Sequence, residues 1–235
     1  MGDLVEGVVS ETKVLGKAAF YDVDGTLIGA NVLHPYAYYA ASAPTFSGKM
    51  GRLLKLGLSL PMYAWADRRG RKYFNDMFYQ NYKGLSEDRL YVIGQEIFEN
   101  LLKGRVFKDM QTLIRHSSAS GIRQVLITGN LDTVTSPLAE YLGVDDWVAN
   151  RLEFDSNGLA TGNLLPPVLA GPEKAKWVRE YAVEHDLDLS QCHAYADSAS
   201  DIPLLCSVGH PIAVNPDTQL QATADAHNWP ILWAK

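Results

Sequence analysis

Short apolar runs that end abruptly in polar, glycine-bearing clusters recur along the chain. Ala18-Ala19-Phe20-Tyr21 empties into Asp22-Val23-Asp24-Gly25-Thr26, Gln124 to Ile127 into Thr128-Gly129-Asn130, Ala194-Tyr195-Ala196 into Asp197, and Pro211 to Val214 into Asn215-Pro216-Asp217. Runs without polar alternation are the pattern of strands covered on both faces. The segments that follow read as helices, so the pattern predicts βαβ units and an α/β, doubly wound parallel sheet whose carboxyl ends carry the polar clusters. Leu152 to Asp155 and Leu159 to Gly162 flank Ser156-Asn157-Gly158, which predicts a hairpin because Asn and Gly both tolerate positive φ. Gly171-Pro172 opens a predicted helix through Trp177 and Tyr181, with Lys174 in the first turn, where the dipole disfavours a cation.

Roughly a hundred residues separate the first two strands, whereas a crossover needs only a dozen or so. Leu90, Ile93, Ile97 and Leu101 fall at helical spacing after Ser86, with Glu87 and Asp88 in the first turn, and Tyr73, Phe74, Met77 and Phe78 suggest another amphipathic helix upstream. Residues 31–105 are therefore read as an inserted, mostly helical cap domain over the sheet's carboxyl edge, with 1–30 and 106–235 forming the core. Within the cap, Leu53 to Trp65 is rich in Leu, Met, Tyr and Trp and runs into Arg68-Arg69-Gly70-Arg71-Lys72. The apolar segment is expected to pack inside the cap and the basic run to be a solvated face; contact with an acidic membrane surface is the alternative. With Lys55 and Pro61 inside it, the segment falls short of the ~20 residues of a membrane span.

Composition narrows the classes further. At 235 residues with 47% hydrophobic and 20% charged positions, the chain is a folded protein of one or two domains. Its formal charge of −6 argues against broad nucleic-acid binding. Asp3, Glu6, Glu11, Lys13 and Lys17 interrupt any leader-like apolar region, so a cytoplasmic location is expected. Cys192 and Cys206 have no metal or disulfide spacing and are expected to be buried packing residues.

The chemistry-bearing residues gather at the predicted strand ends. Asp22 and Asp24, two apart in an extended segment, leave on one face, and two adjacent anions need a cation or a proton between them. Magnesium suits that place, since it binds through one or two carboxylates and shares phosphate oxygens with a substrate. A calcium EF-hand does not fit, because Leu27 and Leu33 stand where glycine and glutamate are required. Asp197 and Asp201 bring a second acidic pair to the same edge. Lys174 would help balance them, while Thr128 offers a hydroxyl and Gly129 a close backbone approach to a phosphoryl oxygen. Such a set fits phosphoryl transfer in which one aspartate attacks phosphorus and another moves the proton. The competing structural readings are a polar turn at Asp22 and Asp24, a backbone-bonded Thr128, an N-cap at Asp197, and Lys176 in place of Lys174.

Asp22-Val-Asp-Gly-Thr-Leu, Leu126-Ile-Thr-Gly-Asn, Gly171-Pro-Glu-Lys174 and Tyr195-Ala-Asp-Ser-Ala-Ser-Asp-Ile-Pro-Leu-Leu occur in that order. Together they resemble the four motifs of the haloacid dehalogenase-like (HAD) hydrolase superfamily. The stretch Val208 to Asp217 resembles its phosphoserine phosphatase-like branch, subfamily IB, whose helical cap lies between motifs one and two. The resemblance implies a Rossmann-like core and a Mg2+-dependent phosphomonoester hydrolase. It implies Asp22 as nucleophile and metal ligand, and Asp24 as general acid/base with its backbone carbonyl on the metal. Thr128, Gly129 and Lys174 would hold the phosphoryl group, Asp197 would be the remaining metal ligand, and Asp201 a supporting residue. Aspartate at position 24 resembles the phosphatases rather than the members that displace halide. The expected substrate is a small phosphorylated metabolite. A lysophospholipid or glycerol phosphate, an acceptor other than water, and a non-catalytic binding role are the alternatives.

Overall fold

The computed structural model describes residues 15–42 and 46–235. Asp3, Glu6, Glu11 and Lys13, on which the expectation of no leader was based, lie outside them. Strand β1 (Ala18–Tyr21) is followed by four helices, α1 (Leu33–Ala41), α2 (Phe46–Arg69), α3 (Arg71–Phe78) and α4 (Glu87–Ile97), before α5 (Lys108–Ala119) and β2 (Arg123–Leu131). The chain continues through α6 (Asp132–Leu142), β3 (Asp146–Phe154), β4 (Ala160–Leu165), α7 (Pro172–Glu184), β5 (His193–Ala196), α8 (Ile202–Leu205), β6 (His210–Val214), α9 (Thr218–His227) and β7 (Ile231–Leu232). The strands form one sheet in the order β4-β3-β2-β1-β5-β6-β7, parallel except for β4. This is the doubly wound α/β core that the strand pattern predicts.

Alternation along β1 sorts side chains to opposite faces, which is why its four residues are all apolar and all buried. Ala18 and Phe20 join Val125, Ile127, Ala194, Val178 and Leu204 on one side. Ala19 and Tyr21 join Leu126, Met110 and Ile114 on the other, and that cluster runs on without a break into Phe78, Tyr79 and Leu102 beneath the inserted helices. Tyr21 lies in register with Leu126 of β2 and Tyr195 of β5. The register brings the residues just beyond these three strands to one edge.

The inserted helices hold together through rings. Tyr36, Tyr63, Phe74, Tyr79 and Tyr82 surround Phe78 with ring centroids 5.3–6.1 Å apart, mostly edge to face, the arrangement that aromatic quadrupoles favour. Three expectations are corrected in and around them. A π-turn at Phe98–Leu102 follows α4 and adds a residue to the helical repeat, so Leu102 takes the fully buried position in place of Leu101. The apolar segment of α2 does not pack inside the cap. Leu56, Tyr63 and Ala66 are buried, but Leu53, Leu54, Leu58, Leu60, Met62 and Trp65 are exposed. Cys206 lies exposed after α8, while Cys192 is buried as expected. The β3–β4 hairpin forms, with Gly158 alone in the Asn157-Gly158 pair at positive φ and Asp155 Oδ1 accepting from the amides of Asn157 and Leu159. Among the described residues no helix is long and apolar enough to cross a membrane.

Helix α4 meets α6 at Gly94, where a Cβ would overlap the backbone carbonyl of Thr133. Gly94→Ala should cost about 1–3 kcal/mol through overpacking. The melting temperature then falls by roughly 2–4 °C per kcal/mol for a chain of this size. Gly104→Ala, whose Cβ meets open space, should stay within about 0.5 kcal/mol. Equal melting of the two variants would contradict this packing.

Candidate active site

Asp22 leaves the end of β1 with its backbone N–H donating to the Tyr195 carbonyl of β5 at 2.9 Å, so its position is set by the sheet. The chain then doubles back, the amides of Leu27 and Ile28 donating to the Val23 carbonyl at 2.9 and 3.2 Å. Gly25 makes this turn at φ +80°, and a Cβ there would run into the Asp197 carboxylate. The Thr26 hydroxyl donates to Asp22 Oδ2 at 3.4 Å. Asp24 points elsewhere, its Oδ1 accepting from Asn130 Nδ2 at 3.2 Å.

Pro172 starts α7 and Gly171 precedes it at φ +53°. The first turn then aims Lys174 back into the molecule. Its side chain is 6% exposed, with Nζ 2.6 Å from Asp22 Oδ1 and 3.0 Å from Asp201 Oδ2. Burial alone would push the Lys174 ammonium down, but Asp201 and Asp22 carry it above its ordinary value. Lys174, rather than the exposed Lys176, is the lysine of the site. The turn after β5 supplies Asp197 and Asp201, organised by the Ser198 hydroxyl accepting from the Ser200 amide and by Asp217, whose N–H donates to the Asp197 carbonyl. Thr128 is buried at the bend of β2, where its hydroxyl accepts from the Asn130 amide at 3.0 Å.

These residues enclose a cavity of about 30 Å3 lined by Asp22, Asp24, Thr128, Gly129, Lys174 and Arg71, with Asp201 and the Ser198 and Ser200 turn completing it. All of the sequence-predicted site residues meet here except Asp197, which faces the adjoining cavity behind Gly25. Arg71 was assigned to a solvated basic run and instead lines the site. The break that turns it inward is Gly70 at φ +139° between α2 and α3, and a glycine inside a run of cations was the available sign. Asn130 was likewise missed as the partner of Asp24.

The electrostatics are those of crowded acids. Burial, reinforced by Asp22, pushes Asp24 up to about 7 despite opposing pulls from Arg71, Lys174 and Asn130. Burial, with Asp22 and Asp201 adding to it, raises Asp197 to about 8. Asp201 is raised chiefly by burial, against the pull of Lys174. One oxygen from each of Asp22, Asp197 and Asp201 lies within 4.8 Å of the others. Three hard oxygen donors converging in a pocket where negative charge is already costly fit a divalent cation such as magnesium.

A family profile described as haloacid dehalogenase-like hydrolase matches residues 19–205. The inhibition of morphological differentiation protein of Streptomyces azureus is 32% identical over 229 residues, covering 92% of this chain and 77% of its own. Phosphoserine phosphatase SerB1 of Mycobacterium tuberculosis is 30% identical over 227 residues, covering 92% and 70%. A solved structure of a phospho-aspartyl intermediate analogue of phosphoserine phosphatase superposes with a TM-score of 0.69 at 20% identity, covering 93% of this chain and 94% of that one. The chain belongs to the haloacid dehalogenase-like hydrolase family, with the fold of its phosphoserine phosphatases.

Proposed function

We propose that the protein is a magnesium-dependent phosphomonoester hydrolase that works through an aspartyl-phosphate on Asp22, with a small phosphorylated metabolite as substrate. The observation that carries this reading is the buried Lys174 bridging Asp22 and Asp201 beside Thr128, in a cavity with room for little more than a phosphoryl group. An ammonium has three donors. With two on carboxylates, one is left for a phosphoryl oxygen, and the Thr128 hydroxyl supplies another contact.

An oxygen of Asp22 attacks phosphorus, and the ester oxygen departs taking a proton from Asp24, whose raised carboxyl is still partly protonated near neutral pH. Asp24, now ionised, takes a proton from water as the water oxygen attacks the acyl phosphate. Inorganic phosphate leaves and both carboxyls return to their starting states. An elevated Asp24 serves both steps, since it holds a proton for the first and accepts one in the second. Magnesium held by Asp22, Asp197 and the Asp24 carbonyl would draw negative charge from the phosphoryl oxygens. Asp201 positions Lys174.

The leaving group must extend past Arg71, which lines the phosphate-sized cavity and two larger ones. One, of about 460 Å3, is polar and includes Asn31, His34 and Asp217. The other, of about 350 Å3, is walled by Val32, Leu33, Leu60, Tyr63 and Phe74. The polar cavity suits a small metabolite, and the apolar one favours a lysophospholipid-like ester as the second reading.

Phosphate release from a phosphomonoester panel, measured with magnesium and with chelator, tests the proposal. Asp22→Asn should lose activity on the order of a thousandfold or more. Asp24→Asn should lose about a hundred- to ten-thousandfold in kcat. Release by Asp22→Asn at the wild-type rate would refute the nucleophile. Arg71→Ala should raise KM about tenfold with a smaller effect on kcat, if the guanidinium binds the ester in ground and transition states alike. An unchanged KM across the panel would remove Arg71 from recognition.

Titration gives a test independent of turnover. Between about pH 4 and 8 the metal-free fold keeps protons on Asp24 and Asp197 that the unfolded chain has released, so stability falls as pH rises through that window. Magnesium must displace the proton on Asp197, whose carboxylate would bind it, so it should raise the melting temperature more at pH 8 than at pH 5. An equal rise at both would contradict a cation at these carboxylates.

A further inference from the structure

Helix α2 packs on the rest of the molecule through a narrow stripe made by Leu56, Tyr63 and Ala66. On the far side its side chains are large and apolar. Phe46 is 79% exposed, Leu54 60%, Leu58 75% and Trp65 51%, and Met50, Leu53 and Leu60 are exposed as well. Placed at ~100° per residue, these seven occupy an arc of about 160° that no charged residue enters before Arg68. Soluble surfaces seldom carry an apolar patch of this continuity without a partner for it. The helix also lacks the means to stand alone. Gly48, Gly51 and Gly57 each cost about 1 kcal/mol of helix propensity relative to Ala and Pro61 about 3 kcal/mol, while among the described residues its buried apolar side chains are Leu56, Tyr63 and Ala66.

Charge decides what the partner is. Residues 46–72 hold seven of the 21 Lys and Arg but one of the 27 Asp and Glu, leaving 14 cations against 26 acids elsewhere. Lys49 and Lys55 are exposed and lie on either side of the apolar arc, while Arg68, Arg69 and Lys72 are exposed at its end. The Arg69 guanidinium stacks on Trp65, 4.3 Å from the ring centroid. A second copy of the chain would set these cations against one another. An anionic surface would pair with all of them, and the long lysine stems would let their ammoniums reach phosphates while the apolar arc sinks below. The rest of the chain, strongly acidic, would be repelled, which fixes the orientation. Leu60 and Ala64 continue the apolar surface inward, because they also wall the 350 Å3 cavity that ends at Arg71.

We propose that the outward face of α2 docks the protein on anionic phospholipid bilayers, lying in the plane of the interface. The docking stands on exposure and charge, and it holds whether or not the site hydrolyses phosphomonoesters.

Co-sedimentation of the full chain with vesicles of phosphatidylcholine alone, or with about 30% phosphatidylglycerol, is the test. Wild-type protein should partition at least tenfold more onto the anionic vesicles at 50 mM salt and lose most of that preference at 500 mM. A Leu54→Asp, Leu58→Asp double variant should lose tenfold or more in partitioning while keeping wild-type phosphate release from a water-soluble ester. Should that variant misfold, Lys49→Glu with Lys55→Glu, which leaves the apolar arc intact, should abolish the preference for anionic over neutral vesicles. The proposal is overturned if wild type does not sediment with anionic vesicles, or if both variants sediment as wild type does. It is equally overturned if wild type is a dimer that Leu54→Asp, Leu58→Asp dissociates and neither form binds vesicles.

Discussion

A lysine buried between two aspartates is the interaction that the rest of the molecule serves. Lys174 and Asp22 are 152 residues apart in the chain and 2.6 Å apart in space, both almost wholly out of solvent. An isolated ammonium in that position would be several kcal/mol too costly to keep charged, and so would either carboxylate. Only together, with Asp201 as the third member, do they tolerate burial. The sheet order, the proline that starts α7 and the serine-organised turn after β5 each bring one of the three to the same point. Taking away one partner leaves the others as uncompensated buried charges, so the integrity of this corner of the fold rests on all three.

The inserted helices are tied to that corner by hydrogen bonds, as they are to one another by ring contacts. The Tyr79 hydroxyl donates to the Gly129 carbonyl at 2.7 Å, and Asn150 Nδ2 donates to the same oxygen at 2.8 Å. Both lone pairs of the carbonyl beside Thr128 are thereby used, one by a cap residue and one by the sheet. At the other end of the cap, Ala160 of β4 exchanges backbone hydrogen bonds with Gly84 and Leu85, and Gln80 reaches the Gly162 carbonyl. The β3–β4 hairpin therefore extends the sheet into a support for the cap. The Tyr79 contact thereby links the inserted helices directly to the loop that carries Thr128 and Gly129.

The sequence made the chemistry more legible than the surfaces. Asp22, Asp24, Thr128, Lys174, Asp197 and Asp201 could be singled out as candidates because they sit in the polar clusters that end apolar runs or in the first turn after a Gly-Pro start, and because those clusters resemble the family's motifs. Residues whose roles come from tertiary placement were harder. Arg71 looks like any other cation in its run until Gly70 bends the backbone, and Asn130 acquires meaning only when Asp24 arrives from 106 residues away. The π-turn that exchanges Leu101 for Leu102 inserts one residue into an otherwise regular repeat, which periodicity cannot anticipate. The apolar content of α2 was plain, but apolar residues are ordinarily inside, and composition does not say which way a helix faces.

The run Arg68 to Lys72 shows how one local break assigns different work to neighbouring residues. Before Gly70, α2 carries Arg68 and Arg69 outward, the latter braced on Trp65. After it, α3 starts on a new axis, Arg71 is drawn in against the Phe74 ring at 5.1 Å, and its positive charge pulls on Asp24 and Asp201. A helix continued straight through this point would have carried no such bend, because φ of +139° is strained for any residue with a side chain. A substitution at Gly70 would therefore act on the site and on the basic end of α2 together. The outward Arg69 and the inward Arg71 are thus separated by a single glycine.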